Sequence, residues 1–198
     1  MKSYTFGEIL CNTFVVLSVA LFSMLGVSDV MGQTPAAAVT VILVRHAEKE
    51  VVPPENKDPN LSLAGQSRAQ ELARMFGGAG VTSIYATQYK RTQQTVKPLA
   101  DKLGLTATLV EAQKTPDLVK QLRAAKPGDV IFLAGHNNSV PEIIAALGGP
   151  KMPLIPETEY DNLFILTVQA DGSAKLLKMK FGSALPSSGA GMENRSSV

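Results

Sequence analysis

Two short apolar runs, Thr40–Val44 (TVILV) and Val130–Ala134 (VIFLA), constrain the fold of this chain more than any other feature. Runs of this length, rich in β-branched residues, favour strands buried on both faces of a parallel sheet. Each run ends within two residues of a histidine, and these are the only two in the sequence, His46 and His136. Open α/β sheets bind ligands just beyond the carboxyl ends of their strands. The two histidines are therefore expected to meet in one pocket, with Arg45 beside the first.

The rest of the chain alternates in the way such a sheet requires. Glu48–Pro59 is polar and contains Pro53, Pro54 and Pro59, so it is expected to be a loop at the rim of that pocket. Residues 64–76 carry a helical stripe (Leu63, Ala69, Leu72, Ala73, Phe76), with Ser62 as N-cap and Gly77-Gly78 as terminator. Further strands are expected at 81–86, 105–110 and 129–134. Further helices are expected at 90–103, ended by Gly104, at 117–125, and from Pro141, ahead of Gly148-Gly149. Residues 162–168 and 174–181 flank Asp171-Gly172, a hairpin signal. The expected fold is an α/β, three-layer α/β/α sandwich with a mostly parallel sheet and an antiparallel C-terminal hairpin.

Residues 1–32 stand apart. Lys2, an apolar stretch from Phe14 to Val27 and small residues ending at Gly32 have the three parts of a signal peptide. Cleavage after Gly32 is the expectation, with an uncleaved anchor as the alternative. Residues 33–39 read as a linker, 40–181 as the catalytic domain and 182–198 as a disordered Ser/Gly-rich tail. The only cysteine, Cys11, falls in the expected signal, which leaves the processed chain with neither a disulfide nor a thiol nucleophile. Loss of Lys2, Glu8 and Asp29 would leave a net charge of +3. So mild an excess, with no basic block, argues against nucleic acid as a partner. An exported protein, periplasmic or secreted and without stable membrane association after cleavage, is the expectation; oligomeric state is not readable.

Arg45 precedes His46, and Arg91 falls in the first turn of the helix expected at 90–103. Arginine offers a planar fork of donors suited to phosphate oxygens, and a helix amino terminus favours the same anion.

The motifs carry a resemblance. Val44-Arg45-His46-Ala47-Glu48-Lys49 resembles the R-H-x-E signature of the histidine phosphatase superfamily, also called phosphoglycerate mutase-like, and Leu61-Ser62-Leu63-Ala64-Gly65 resembles the segment that follows it. Thr87 to Thr95 is similar to the family's S-x-x-x-R-[AT]-x-Q-T element, with Thr87 in place of serine. Gly135 to Pro141 resembles its second histidine motif. Four elements in family order, across residues 40–181, are a specific signal.

The resemblance implies that His46 attacks phosphorus and carries the phosphoryl group until water removes it. To attack, it must be neutral, and cationic neighbours should hold its pKa down. Arg45, Arg91 and His136 would surround the transferred group and stabilise its charge, with no metal and no cofactor. Asn137 and Glu48 join them as expected substrate-binding residues. One branch of the family places an acidic proton donor right after the second histidine, where this chain has Asn137. In the mutase-like branch a glutamate follows the central arginine by roughly twenty residues, and Glu111 lies 20 after Arg91; Glu48 is the other candidate, and the choice stays open. The expected activity is that of a phosphomonoesterase acting on a small phosphate ester. A non-catalytic binder of a phosphorylated ligand and a phosphohistidine protein phosphatase are the alternatives.

Overall fold

The two apolar runs become the central pair of a six-stranded sheet. In the computed structural model, which describes residues 38–182, the elements are β1 (Val39–Arg45), α1 (Leu63–Phe76), β2 (Ser83–Thr87), α2 (Lys90–Leu103), β3 (Thr108–Val110), α3 (Thr115–Arg123), β4 (Val130–Gly135), α4 (Ser139–Ala146), β5 (Asn162–Val168) and β6 (Ala174–Lys180). The expected signal peptide, most of the linker and nearly all of the expected tail lie outside the described residues.

Strand order is β3-β2-β4-β1-β5-β6. Strands β1, β4, β2 and β3 pair in parallel, and β5 runs antiparallel to both β1 and β6. The pleat sends alternate residues to opposite faces. Ile42, Val44, Phe132 and Ala134 meet Leu72 and Phe76 of α1 and Val96 and Leu99 of α2. Val41, Leu43, Ile131 and Leu133 meet Leu118 and Leu122 of α3 and Ile143 and Ile144 of α4. Two helices on each face make the α/β/α sandwich that the sequence predicts.

Element ends differ from expectation where local chemistry permits either choice. β3 has three residues instead of six because it is an edge strand that pairs only with Tyr85–Thr87. β2 starts at Ser83, although Val81 is buried in the core. Helices α3 and α4 each start two residues earlier than expected, with Pro116 and Pro141 inside their first turns. A first-turn proline is tolerated because its missing N–H would have had no helical partner.

Register places the functional residues. Arg45 is level with Gly135, and Ala86 with Ala134. The His46 amide donates to the Gly135 carbonyl at 2.9 Å. His46, His136 and Thr87 therefore leave three adjacent strands side by side at the carboxyl edge. Beyond His46 the chain makes a β-bridge between Lys49 and Leu61, and the Glu50 amide donates to the Asn60 carbonyl at 2.9 Å. These contacts close the base of the expected rim loop.

Candidate active site

His46 is buried, 4% exposed. Its Nδ1 lies 2.8 Å from the Ala47 carbonyl oxygen. A carbonyl can only accept, so Nδ1 carries the proton and Nε2 keeps its lone pair. Among the described residues Nε2 has no hydrogen-bond partner. The turn is fixed from α2: the Ala47 amide donates to Thr95 Oγ1 at 2.9 Å, and the Thr95 hydroxyl donates to the Arg91 carbonyl at 2.6 Å. His46 has a pKa lowered to about 3, chiefly by burial; the Ala47 hydrogen bond opposes this, and Arg45, Arg91 and His136 add to it. The imidazole is neutral through the whole range around neutrality, as a nucleophile must be.

The second histidine is oriented by two threonines. His136 Nε2 lies 3.0 Å from Thr87 Oγ1, which lies 2.8 Å from Thr92 Oγ1. The Thr92 hydroxyl faces the carbonyls of Tyr89 at 2.8 Å and Thr87 at 3.1 Å. Its single proton goes to one of them, so it accepts from Thr87. The Thr87 proton is then used, and Thr87 accepts from His136 Nε2–H. All three side chains are buried, which makes this order of donors costly to reverse. Burial, then Arg91 and Arg45, lower the His136 pKa to about 4. The two imidazoles meet edge to face with centroids 5.5 Å apart. Gly135 is required beside them, since a Cβ there would lie 2.9 Å from Ser139 Oγ, the atom that accepts from the His136 amide.

Each arginine lies on a tyrosine. Arg45 Cζ is 4.4 Å from the Tyr160 ring centroid, and Arg91 Cζ is 4.2 Å from that of Tyr89. Tyr160 in turn faces His46 at 6.1 Å, and Tyr89 faces His136 at 5.4 Å. Arg45 is 2% exposed. Its Nη1 donates to the carbonyls of Pro156 at 2.8 Å and Glu159 at 3.3 Å, and its Nη2 pairs with Glu157 at 2.5 Å. Arg45 Nε is buried with no partner among the described residues, a donor that a bound phosphoryl oxygen would satisfy. Arg91 is held from the rim loop: Asp58 accepts from the Lys90 amide at 2.9 Å and lies 3.8 Å from Arg91 Nη1.

Arg45, His46, Arg91 and His136 thus converge. Asn137 stands at their border, its amide donating to Glu157 Oε1 at 2.7 Å. The two glutamates named from sequence do not join them. Glu48 is buried and gripped by Arg68, with Nε and Nη2 contacts of 2.6 to 3.0 Å, while Arg68 Nη1 holds the Phe181 carbonyl at 3.1 Å. Glu111 is exposed and paired with Lys114 at 3.1 Å, with no hydrogen bond or ion pair to either histidine or arginine. Thr87, Thr92, Tyr89, Tyr160, Asp58 and Glu157 enter the site although sequence reasoning gave them no role there; Thr87 and Thr92 had one visible signal, their places inside the arginine motif. No group of three or more His, Cys, Asp or Glu among the described residues is arranged to hold a metal ion.

A family profile described as the histidine phosphatase superfamily (branch 1) matches residues 41–118, from the first histidine strand into α3. Over that stretch this chain is similar to the histidine phosphatase superfamily. Among curated proteins, this chain is 29% identical over 133 residues to the PE-PGRS family protein PE_PGRS11 of Mycobacterium tuberculosis, a match covering 66% of the chain. It spans only 20% of that relative's length. Among solved structures, the protein histidine phosphatase SixA complexed with tungstate has a TM-score of 0.61 at 16% identity, covering 71% of this chain and 96% of that one. A mycobacterial glucosyl-3-phosphoglycerate phosphatase has a TM-score of 0.57 at 15% identity, covering 70% and 97%. At such identities the likeness shows that this chain shares their fold.

Proposed function

We propose that this chain is a phosphomonoesterase that works through a phosphohistidine on His46, needs no metal, and acts on a small phosphate ester outside the cytoplasm. The observation that carries this reading is the state of His46: neutral, with its proton committed to the Ala47 carbonyl and Nε2 open beside two arginines and a second histidine. The Nε2 lone pair forms a bond to phosphorus as the ester oxygen leaves. Arg45 and Arg91 stabilise the equatorial oxygens, the part of the reaction where preorganised charge contributes most, while His136, its one proton turned to Thr87, packs against His46. Water then cleaves the P–N bond and returns His46 to its starting state. The fold shared with two phosphatases supports the same reading.

The test is hydrolysis of p-nitrophenyl phosphate by the purified protein in EDTA, with His46→Ala in parallel. Turnover in the wild type and a loss of at least about 10³-fold in the variant is expected; metal-dependent turnover, or an active variant, would overturn the reading. Binding of inorganic phosphate without turnover would favour the non-catalytic binder. A protein-borne phosphohistidine is the second substrate reading, supported by the likeness to SixA; faster dephosphorylation of a phosphohistidine protein than of any small ester would select it. Export is tested by cell fractionation with N-terminal sequencing, for which Gln33 as the first residue is the expected result.

A further inference from the structure

The reaction as derived lacks a proton donor. An alkoxide leaving group needs one, and the glutamates suggested by sequence are occupied elsewhere, Glu48 by Arg68 and Glu111 by Lys114. Asp58 lies near Arg91, but its Oδ1 is committed to the Lys90 amide. One other carboxylate touches the cluster: Glu157, on the segment between α4 and β5, with Oε2 on Arg45 Nη2 and Oε1 on Asn137 Nδ2. We propose that Glu157 is the general acid for the leaving group, resting on the donors of the phosphate seat until substrate displaces it. The inference rests on the phosphatase reading above.

Three features point this way. First, Arg45 is 2% exposed whereas the Glu157 side chain is 69% exposed, so the carboxylate reaches the arginine from the solvent side. A phosphoryl group entering against the strand ends must take the inner position and leave its ester oxygen pointing outward. A displaced Glu157 then lies on the side from which that oxygen departs. Secondly, the Asn137 amide gives the carboxylate a neutral hydrogen-bond partner next to His136, and this hold does not need Arg45. Thirdly, displacement changes the charge around Glu157. It takes the carboxyl off a guanidinium and leaves it beside the phosphoryl group whose ester oxygen needs a proton. The groups it faces are Arg45, Asn137 and Tyr160, with Arg91 within electrostatic reach.

The step balances. The Nε2–P bond forms and the P–O bond breaks as the Glu157 carboxyl proton passes to the ester oxygen, giving the free alcohol, phosphohistidine and a Glu157 carboxylate. In the second half the carboxylate accepts a proton from water as its oxygen bonds to phosphorus and the P–N bond breaks. Inorganic phosphate, neutral His46 and protonated Glu157 result.

The experiment compares two esters in wild type and Glu157→Gln. Phenolates with electron-withdrawing groups leave without protonation, whereas alkoxides do not, and a lost general acid costs roughly 10² to 10⁴-fold. In the variant, kcat/KM for an alkyl phosphate is expected to fall by about 100-fold or more and that for p-nitrophenyl phosphate by no more than about 5-fold. Equal losses on both esters would overturn the inference. So would gains on both, the result if the carboxylate merely blocked the anion seat. In either case a wild type that hydrolyses both esters leaves the phosphatase reading standing. A wild type that hydrolyses neither removes that reading, and this inference with it.

Discussion

Thr87 shows how much of a site depends on single atoms. Its hydroxyl has one proton, and the demand from Thr92 decides that it accepts from His136 rather than donating to it. Thr87→Val keeps the shape and removes the acceptor, leaving a buried imidazole N–H without a partner at a cost of about 1–3 kcal/mol. Where that orientation is used in the transition state, kcat is expected to fall by roughly 10- to 100-fold. Steady-state kinetics with Thr87→Ser alongside, which should stay close to wild type, checks this. At the residue scale the sequence exposed the histidines and arginines because they sit at strand and helix ends. It concealed Glu157 and Tyr160, whose roles depend on the path of a loop more than a hundred positions beyond Arg45. It also misdirected Glu48: a position two residues past the nucleophile suggests the pocket, but its partner is Arg68, twenty residues on. Nothing local announces that pairing.

Among the elements, α1 is tied most tightly to the site. Ser62 caps it, its Oγ accepting from the Gly65 amide at 3.2 Å, as its sequence position predicts. The Ser62 amide also donates to the Glu48 carbonyl at 2.9 Å. A Cβ on Gly65 would come 2.1 Å from that same carbonyl oxygen. In an ordinary helix interior Gly→Ala stabilises by about 0.5–1 kcal/mol. Here the obstacle is backbone, and overpacking of about 1–3 kcal/mol or more outweighs the gain. Gly65→Ala is therefore expected to lower the denaturant midpoint, and activity should fall with it because the Ala47–Glu48 turn has to shift. Elements with a full apolar stripe, such as α1, and fully buried strands, such as β1 and β4, were legible from periodicity. The edge strand β3 was not, since its length depends on how much of β2 is available to pair.

At the scale of the molecule, both histidines are stored in the wrong state for acid. Each is neutral in the fold, with pKa values of about 3 and about 4, whereas an unfolded histidine titrates near 6.5. Between pH 6.5 and about 4 the unfolded chain binds more protons, so stability falls as pH is lowered through that window. The slope approaches about 1.4 kcal/mol per pH unit for each histidine. Urea titrations from pH 7 to 4 on wild type and His46→Gln should show it, the variant having a flatter dependence. Another property belongs to the whole scaffold. The rim loop is fastened twice, by the Lys49–Leu61 bridge at its base and by Asp58 against the start of α2. Residues 51–57 hang between those fastenings, with Val51 fully in solvent. That stretch is expected to behave as a replaceable cassette, one whose length and sequence change while the two fastenings and the histidines and arginines beneath them stay in place.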